Sequence, residues 1–536
     1  MKTRWRGVIA SGTVVAALTG CGSDAAAPTD ASDAGAGDAS LPDASGSGDA
    51  GDAAVGDAGD AGPRDAGAGP IAFVNVKTNT ELETGFILGT AGAAINQVGC
   101  QFDGGAVVVA TGTTSWKCAR PTSWKVGSKH VVVAGAWNGA ALSSTATVTV
   151  YAAQNHDFNG DGYPDLAVGA PFGSSNAGTV SIFYGSASGI SAAANRTLTG
   201  PKAASMFGFA LVAADLRSTG YADLVVGLAS FSTAAQDPGT IYVFDGGSAG
   251  LPLTASHSLV APAFAQAASG YSLAAGDYNG DGYQDVVVGY GGYNTFFGAV
   301  SFYKGSNTGL VPDGTKIGTT GQELGNFVGL GDFFGTGYAA VAIGVSAGTQ
   351  VFAGGASGVA ATSSVTIGES GALNTAYIKR NDYADLVITG NAQAVVHYGS
   401  ATGPSTSTTT TVADPPAHGW GTVVPGDIDL DGHDDIVFAN PCRSTSCDTG
   451  EALVFLGGST GVSATSSATI PNPAMTSEFG YALAMTDMNG DGRLDVAVAT
   501  NATPLYAFYA TGATPPFPST PSLTVMNLID AAFSPR

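Results

Sequence analysis

The sequence is poor in charged residues, histidine and cysteine. Of 536 residues, 11% are charged, six are histidines and five are cysteines. Long amphipathic helical patterns are also missing, whereas glycine is abundant at 79 residues, which favours all-β structure with many tight turns. The sequence contains no Gly-x-Ser-x-Gly elbow, HExxH pair or phosphate-binding glycine loop. We therefore predict that the chain is not an enzyme, although residues distant in sequence can still meet in a folded active site.

The acidic residues are unevenly distributed. The formal net charge is −23, yet residues 22–69 contain ten Asp and four short loops contain fourteen acidic residues, together 24 of the 42 Asp and Glu. No basic patch accompanies them, so the composition predicts no nucleic-acid partner. Most of the negative charge is expected on a solvated tail and on metal-binding loops.

Residues 1–21 have the pattern of an export signal. Three basic residues precede the apolar run 8–18, which is too short to span a membrane as a mature helix. The run ends in Leu18-Thr-Gly-Cys21, which resembles the lipobox of bacterial lipoproteins. The resemblance implies cleavage before Cys21 and lipid attachment to its thiol; an ordinary signal peptide that happens to contain a cysteine is the alternative. We predict an exported chain, anchored by this lipid at the bacterial outer membrane or cell surface.

Residues 22–69 consist almost entirely of Ala, Asp, Gly, Ser and Pro. Such a segment has too little apolar surface to form a core, and its like charges repel one another. We predict an extended, disordered tether between the lipid and the folded domains.

Four cysteines remain once Cys21 is set aside, an even number that suits an oxidising compartment. The sequence-local pairs, Cys100 with Cys118 and Cys442 with Cys447, would each fall within one domain. Zinc binding is not expected, because neither pair has nearby histidines at ligand spacing.

Residues 70–152 predict a small β-sandwich, because short alternating apolar runs are separated by turns. The stretch from Phe102 to Val133 resembles the bacterial immunoglobulin-like domains of surface proteins. Within it, His130 alternates with apolar neighbours, so we expect a strand residue rather than a catalyst.

A nine-residue acidic loop occurs four times, at 157–165, 277–285, 427–435 and 487–495. Each copy has Asp at positions 1, 5 and 9, Asp or Asn at position 3, and glycine at position 6. Calcium takes six to eight oxygen ligands at about 2.3–2.6 Å, and glycine permits the sharp turn that gathers side-chain oxygens and a main-chain carbonyl onto one ion. The sequence predicts about four Ca²⁺ sites, the carbonyl coming from position 7. The predicted metal residues are Asp157, Asn159, Asp161, Tyr163, Asp165, Asp277, Asn279, Asp281, Tyr283, Asp285, Asp427, Asp429, Asp431, His433, Asp435, Asp487, Asn489, Asp491, Arg493 and Asp495.

Two alternatives to this interpretation are weaker. An EF-hand opens with the same spacing but closes with Glu at position 12 between two helices, whereas position 12 here is Val168, Val288, Phe438 or Val498 within a short apolar run. Ordinary Asp/Asn/Gly turns would explain one copy but not four near-identical ones. The loops are therefore expected to join strands.

Degenerate copies begin at Asp215, Asp332 and Tyr377, so seven units follow one another at intervals of 45–62 residues. Each unit has the pattern of four strands, which describes a propeller blade. We predict a seven-bladed β-propeller over 153–536, so that the whole chain is an all-β propeller preceded by a sandwich. The first unit lacks an obvious first strand, which residues 147–150 or 523–526 are expected to supply.

Two further elements, Phe207-Gly208 and Gly169-Ala-Pro171, recur in altered form near the loops. Together with the loops, they resemble the FG-GAP repeats of integrin alpha-chain propellers. The resemblance implies that calcium loops join the first and second strands of a blade, on the face away from the main ligand surface. It also implies that the degenerate loops at 215, 332 and 377 do not bind calcium tightly.

The predicted function is binding of a protein or glycan by a lipid-anchored surface propeller. The loops 290–297, rich in aromatics, and 441–447, with its cysteine pair, are candidates for the ligand face; local packing between blades is the alternative for both. A structural envelope protein without a specific ligand and a propeller-based hydrolase or lyase are the competing hypotheses.

Overall fold

The chain folds entirely from β-strands and turns in a computed structural model that describes 71–172, 177–202, 205–228, 240–260, 272–291, 297–390, 393–413, 421–441, 450–473, 479–500, 504–513, 516–526, 528 and the backbone of 15–17. No α-helix occurs in these ranges, and none of the described segments could cross a membrane as a helix. The prediction of an all-β fold is confirmed. Most of the predicted signal and tether, including Cys21, lies outside the described residues.

The first domain is a sandwich of two sheets packed face to face. The five-stranded sheet has the order Thr80–Leu82, Leu142–Ala152, Lys129–Trp137, Val98–Phe102, Val107–Val109. The four-stranded sheet has the order Ile71–Phe73, Phe86–Ala91, Ser115–Ala119, Thr111–Gly112. A disulfide joins Cys100 of the first sheet to Cys118 of the second within the shared apolar core. The immunoglobulin-like classification of this sandwich stays a prediction.

The rest of the described chain forms seven four-stranded sheets, which we number as blades 1 to 7. Within blades 2 to 7, neighbouring strands are antiparallel and consecutive in the chain. The strands of blades 1 to 3 are Val15–Ala17, Leu166–Ala170, Thr179–Phe183, Arg196–Thr199; Ala210–Ala214, Asp223–Gly227, Thr240–Phe244, His257–Val260; and Ser272–Gly276, Asp285–Gly289, Ala299–Lys304, Val311–Ile317. Those of blades 4 and 5 are Val328–Gly331, Ala340–Val345, Gly348–Phe352, Val365–Ile367; and Ala372–Ala376, Asp385–Thr389, Gln393–His397, Thr409–Ala413. Those of blades 6 and 7 are Thr422–Gly426, Asp435–Asn440, Glu451–Phe455, Ala468–Ile470; and Ala482–Thr486, Asp495–Ala499, Leu505–Phe508, Leu523–Val525.

Apolar cores between successive blades close the ring. Six of these cores join blades 1 to 7 in order, and a seventh packs Leu166 and Val168 of blade 1 against Ala482 and Ala484 of blade 7. The second strands are buried on both faces because each blade is covered by two neighbours, whereas the fourth strand of blade 2 is largely exposed. This arrangement is a β-propeller.

The first strand of blade 1 does not come from either predicted segment. Residues 147–150 belong to the sandwich and 523–525 form the fourth strand of blade 7, so that prediction is wrong. Instead, Val15–Ala17 pairs in parallel with Ala167–Gly169. The sequence pattern could not show this, because the strand comes from a segment about 150 residues away that reads as an export signal.

The sandwich packs against one face of the propeller. The Arg380 guanidinium of blade 5 binds Glu81 of the sandwich at 2.7 Å and Asp434 of blade 6 at 2.9 Å. Glu83 of the sandwich accepts hydrogen bonds from the Thr486 hydroxyl at 2.8 Å and from the Asp487 N–H at 3.0 Å. The acidic loops therefore lie at the junction between the two domains.

Candidate metal centres

The predicted calcium loops all lie at the end of the propeller that faces the sandwich. In blades 3, 6 and 7 the loop joins the first strand to the second, for example between Gly276 and Asp285. The structure therefore places the four loops on one face, at equivalent positions in their blades.

The aspartate at position 1 shapes each loop from within. In blade 1 the Gly160 N–H donates to Asp157 Oδ1 at 2.6 Å and the Gly162 N–H donates to Asp157 Oδ2 at 2.9 Å. Both glycines have positive φ, 69° and 89°, which L side chains rarely adopt. The equivalent carboxylates of Asp277, Asp427 and Asp487 each accept an N–H from the glycine at position 6.

Positions 3 and 5 meet above this turn. Asn159 Nδ2 donates to Asp161 Oδ2 at 2.8 Å, and the same contact recurs between Asn279 and Asp281 and between Asn489 and Asp491. The side chain at position 5 also accepts the N–H of position 7 in all four loops. The main chain of position 7 is therefore held in the turn in all four loops, at Tyr163, Tyr283, His433 and Arg493. Coordination of calcium by the carbonyls of these residues stays a prediction.

The aspartate at position 9 connects the loop to another part of its blade. Asp165 Oδ2 accepts the Phe158 N–H at 2.7 Å, and its Oδ1 accepts the N–H of Gly185, just after the third strand, at 2.9 Å. Asp285, Asp435 and Asp495 make the same pair of bonds. The sequence pattern predicts a metal ligand at position 9 but does not reveal this structural role.

The fit to a cation is best seen in blade 6. One carboxylate oxygen each from Asp427, Asp429 and Asp435 lies within 4.8 Å of the others, and Asp427 and Asp435 are buried while Asp429 is exposed. The donors are all hard oxygens, which suits calcium better than a soft metal. Asp429 replaces the Asn found at position 3 elsewhere, so blade 6 has one more carboxylate at the metal-facing positions.

Electrostatics also favours a bound cation. Burial raises the pKa of Asp427 to about 8, with the negative charge of Glu81 adding to the effect, and burial raises that of Asp435 to about 7. Burial and the carboxylate at position 5 raise the pKa of Asp157 to about 7 and that of Asp487 to about 8. A divalent ion would remove this penalty, since an opposite charge favours the ionised carboxylates.

In blade 2, an arginine occupies the position of a ligand. Arg217 stands at loop position 3, and its guanidinium contacts both oxygens of Asp223 at position 9, with Nη2 2.8 Å from Oδ1. Asp223 is fully buried, so this ion pair supplies the positive charge that calcium would supply in a strong loop. The sequence showed the loss of ligands here but not the internal cation that compensates for it.

The other degenerate loops differ from one another. In blade 5, Asp385 at position 9 still accepts N–H groups from Ile378 and Gly399, while Tyr377 and Lys379 replace the ligands of positions 1 and 3. In blade 4, position 9 is Ala340, which is buried in the core with blade 5. Whether these loops bind metal was left open by the sequence, and the donor sets in the structure contain too few oxygens for a strong site.

The sequence pattern also does not predict a contact between neighbouring loops. The ring of Tyr163 at position 7 of blade 1 packs on Gly490 at position 4 of blade 7, so a Cβ at Gly490 would overlap the ring. Tyr221, Tyr338 and Tyr383 pack in the same way on Gly160, Gly280 and Gly335. Position 4 is glycine in these loops because it has positive φ and because the next blade covers it.

The described residues of the aromatic loop 290–297 are buried or half-buried. Tyr290 is fully buried in the core between blades 2 and 3, as the packing alternative foresaw, and Phe297 is half-buried. Tyr293, Phe296 and the pair Cys442 and Cys447 lie outside the described residues. Tyr290 therefore cannot serve as a surface anchor.

Three side chains of the sandwich resemble a hydrolytic triad in their spacing. Ser128 Oγ lies 2.6 Å from His130 Nε2, and His130 Nδ1 lies 2.8 Å from Asp103 Oδ2. However, the Ser128 hydroxyl donates to the Lys125 carbonyl, so its proton is not directed at the imidazole. Trp124 stacks on the His130 ring, and the group is best described as a surface hydrogen-bond network.

The ring of four-stranded blades is a β-propeller, and its recurring oxygen-rich loops are similar to those of FG-GAP repeats. A family model described as FG-GAP repeat matches residues 150–183, 269–303 and 479–513, which contain the loops of blades 1, 3 and 7. The chain thus carries FG-GAP repeats in these three stretches.

Curated relatives agree with this assignment. Integrin alpha-4 of Xenopus laevis is 33% identical over 156 residues, which is 27% of this chain and 15% of that protein. Phosphatidylinositol-glycan-specific phospholipase D of Bos taurus is 31% identical over 182 residues, which is 31% of this chain and 22% of that protein. The chain therefore spans less than a quarter of the length of these relatives.

Among solved structures, a rhamnogalacturonan lyase from Bacillus licheniformis aligns with 81% of this chain and 89% of its own, at 11% identity and a TM-score of 0.34. A likeness this weak carries no functional argument.

Proposed function

We propose that this chain is a calcium-stabilised, lipid-anchored propeller of the bacterial surface that binds a protein or a glycan. The observation that carries the calcium part is the convergence of the Asp427, Asp429 and Asp435 carboxylates in blade 6. The same turn in blades 1, 3 and 7 supports about four such sites.

Calcium would act as a structural staple. Each strong loop gathers at least three carboxylates whose mutual repulsion and burial oppose ionisation. An ion bound only by the folded state stabilises that state by mass action, and extracellular sites commonly bind at about 10⁻⁴–10⁻³ M. Binding should therefore raise the melting temperature without changing the fold.

The position of the sandwich limits which face of the propeller is free to bind a partner. The Asn75 amide donates to the Gly162 carbonyl at 3.1 Å and Lys125 Nζ donates to the Gly337 carbonyl at 2.6 Å, so the sandwich covers much of the calcium-loop face. The second strands end and the third strands begin at the other end of the blades. We infer that a protein or glycan partner binds on that opposite face.

Export and anchoring rest on the sequence and on one structural feature. The disulfide between Cys100 and Cys118 suits an oxidising compartment. The lipobox at Cys21 would place the lipid at one end of the tether 22–69 and the folded domains at the other. Cleavage there would also remove Val15–Ala17 and leave blade 1 with three strands.

Glycan and protein arrays probed with the full chain in millimolar calcium would test the binding role. A partner that binds saturably, and that is lost when calcium is chelated, supports the proposal. Repeated absence of binding on both arrays would instead favour a structural envelope protein without a specific ligand.

A further inference from the structure

The first strand of blade 1 differs in length and direction from the first strands of blades 2 to 7. Those six strands have four or five residues and run antiparallel to the second strand of their blade. In blade 1 only three residues, Val15–Ala17, occupy the position, and they run parallel to Leu166–Ala170. They pair with 167–169 alone, so the inner edge of this second strand is only partly covered.

The position lies inside the ring. The Cα atoms of Val15–Ala17 come within 8 Å of the first strands of both neighbouring blades, Ala210–Ala214 in blade 2 and Ala482–Thr486 in blade 7. The second strand that it covers, Leu166–Ala170, is buried along its whole length. Without a first strand, main-chain N–H and C=O groups on this inner edge would lose their partners, which is costly in a protein interior.

Cleavage before Cys21, as proposed above, would create this situation. It removes residues 1–21, which we call the export segment, and with them the strand Val15–Ala17. The present inference rests on that step of the proposed function. A mature ring then needs another strand at the same position.

The connections between blades indicate which strand this is. In blades 2 to 7 each first strand follows the fourth strand of the preceding blade, after a connection that ranges from four residues, 368–371, to eleven, 471–481. The equivalent strand for blade 1 would follow Leu523–Val525, the fourth strand of blade 7. Residues 526–536 come after it and are numerous enough for a connection and a strand.

Leu528 supports this course of the chain. It is 5% exposed and lies in the apolar core between blades 7 and 1, together with Leu166 and Ala482. In three other connections an apolar residue is buried in the corresponding core, three or four residues before the next first strand: Phe207 before Ala210, Leu324 before Val328 and Phe479 before Ala482. By this spacing, a strand after Leu528 begins at residue 531 or 532.

The composition of this segment suits the inner ring. Residues 531–534, which lie outside the described residues, read Ala-Ala-Phe-Ser. The neighbouring first strands, Ala210–Ala214 and Ala482–Thr486, are likewise rich in alanine. Pro535 follows directly and suits the end of a strand, because proline cannot donate a ladder hydrogen bond.

We propose that removal of the export segment opens the first-strand position of blade 1 and that residues 531–534 then occupy it as an antiparallel strand. The export segment is a temporary occupant that keeps the C-terminal residues out of the ring until it is cleaved. Processing thereby completes the ring with a strand of the direction found in blades 2 to 7.

Hydrogen exchange on the full chain tests the proposal. A site for a sequence-specific protease is inserted in the tether, and amide exchange of 166–170 is measured by mass spectrometry in saturating calcium, before the cut and after removal of the released peptide. In the full chain these amides should stay protected after the cut, because 531–534 replace Val15–Ala17. In a chain that ends at Asp530, the cut should speed their exchange at least about tenfold, the factor for losing one hydrogen bond.

Two controls accompany the shortened chain. A chain that ends at Ser534 lacks only Pro535 and Arg536 and should behave like the full chain. Before the cut, the chain that ends at Asp530 still contains Val15–Ala17, so its melting and exchange at that stage show that it is folded. A synthetic peptide of residues 526–536, added after the cut, should restore the protection.

Loss of protection after the cut in the full chain would overturn the proposal and leave the position to a strand from another chain. Protection that persists after the cut in the chain ending at Asp530 would overturn it as well, because the C-terminal residues would then not be the cover. Whether cells cleave before Cys21 is read separately, from the mass of the exported protein, so failure of processing and failure of strand exchange are distinguishable.

Discussion

The aspartate at position 9 explains why some loops have lost their calcium ligands but not their last carboxylate. Asp223 and Asp385 both accept the N–H of the glycine that follows the third strand, Gly246 and Gly399 respectively. The bond fixes the second strand relative to the end of the third in every blade that has the residue. Position 9 is therefore retained for the fold even where no metal is expected.

Asp385→Ala isolates this structural role, since blade 5 lacks the ligands of positions 1 and 3. We predict a loss of about 1–3 kcal/mol in the free energy of unfolding, because buried N–H groups lose their acceptor. Urea unfolding with and without calcium measures it. The exposed Asp382→Ala should change stability little, and equal effects of the two variants would contradict the role.

The ion pair between Arg217 and Asp223 predicts that a calcium site can be restored in blade 2. Arg217→Asn combined with Thr219→Asp removes the internal cation and returns oxygen ligands to positions 3 and 5. We predict one additional calcium ion per chain by calorimetry. Arg217→Ala alone should destabilise the protein because Asp223 is left as an unpaired buried carboxylate. If the double variant binds no more calcium than the original chain, the Arg217 guanidinium does not stand in for a calcium ion.

The raised pKa values predict how the stability of the metal-free fold changes with pH. For Asp285, Asp427 and Asp487 the folded pKa is about 8, well above the value for an exposed Asp of about 3.9. The metal-free fold therefore binds more protons than the unfolded chain between about pH 4 and 8, so its stability should fall as the pH rises through this window. Calcium opposes the same repulsion, and its stabilising effect should grow over that range.

Thermal melts at pH 5 and pH 8, with calcium and with chelator, check this prediction. The difference in melting temperature between the calcium and chelator samples should be small at pH 5 and large at pH 8. A gap independent of pH would show that the loop carboxylates are not the groups that bind the ion.

At the scale of elements, neighbouring loops interlock through a tyrosine and a glycine. Gly490→Ala would bring a methyl group into the Tyr163 ring at the contact between blades 7 and 1. Gly104 has a similar φ, 73° compared with 69°, but no atom within 4 Å of an added Cβ. Gly104→Ala therefore reports backbone strain alone.

We predict that Gly490→Ala destabilises the chain by about 1–3 kcal/mol more than Gly104→Ala, since overpacking adds to the strain. Thermal or urea unfolding of the two variants gives the difference. Equal losses would mean that the interlock does not contribute to stability.

The sequence predicted the propeller well because its loops recur with the period of the blades. Each unit contributes the same turn, and the turn alone identifies where the first and second strands meet. Features formed by residues far apart in sequence were not predictable. Val15–Ala17 in blade 1 and the ion pair of Arg380 with Glu81, 299 residues apart, leave no local pattern.

At the scale of the molecule, the sandwich and the propeller form a junction around the acidic loops. Glu83 illustrates the connection, since it binds the main chain of a predicted metal ligand, Asp487, and orients His156. A cavity of about 420 Å³ is lined by residues of both domains, so neither domain alone would have revealed it. Calcium binding and the domain junction are thus expected to stabilise each other.

The most direct test of the central claim is calcium calorimetry on the full chain, paired with melts in calcium and in chelator. We expect about four ions per chain and a large rise in melting temperature, both reduced by Asp427→Asn with Asp435→Asn. No calcium binding and no change in melting temperature would mean that the acidic loops are ordinary turns, and the calcium-stapled propeller would have to be abandoned.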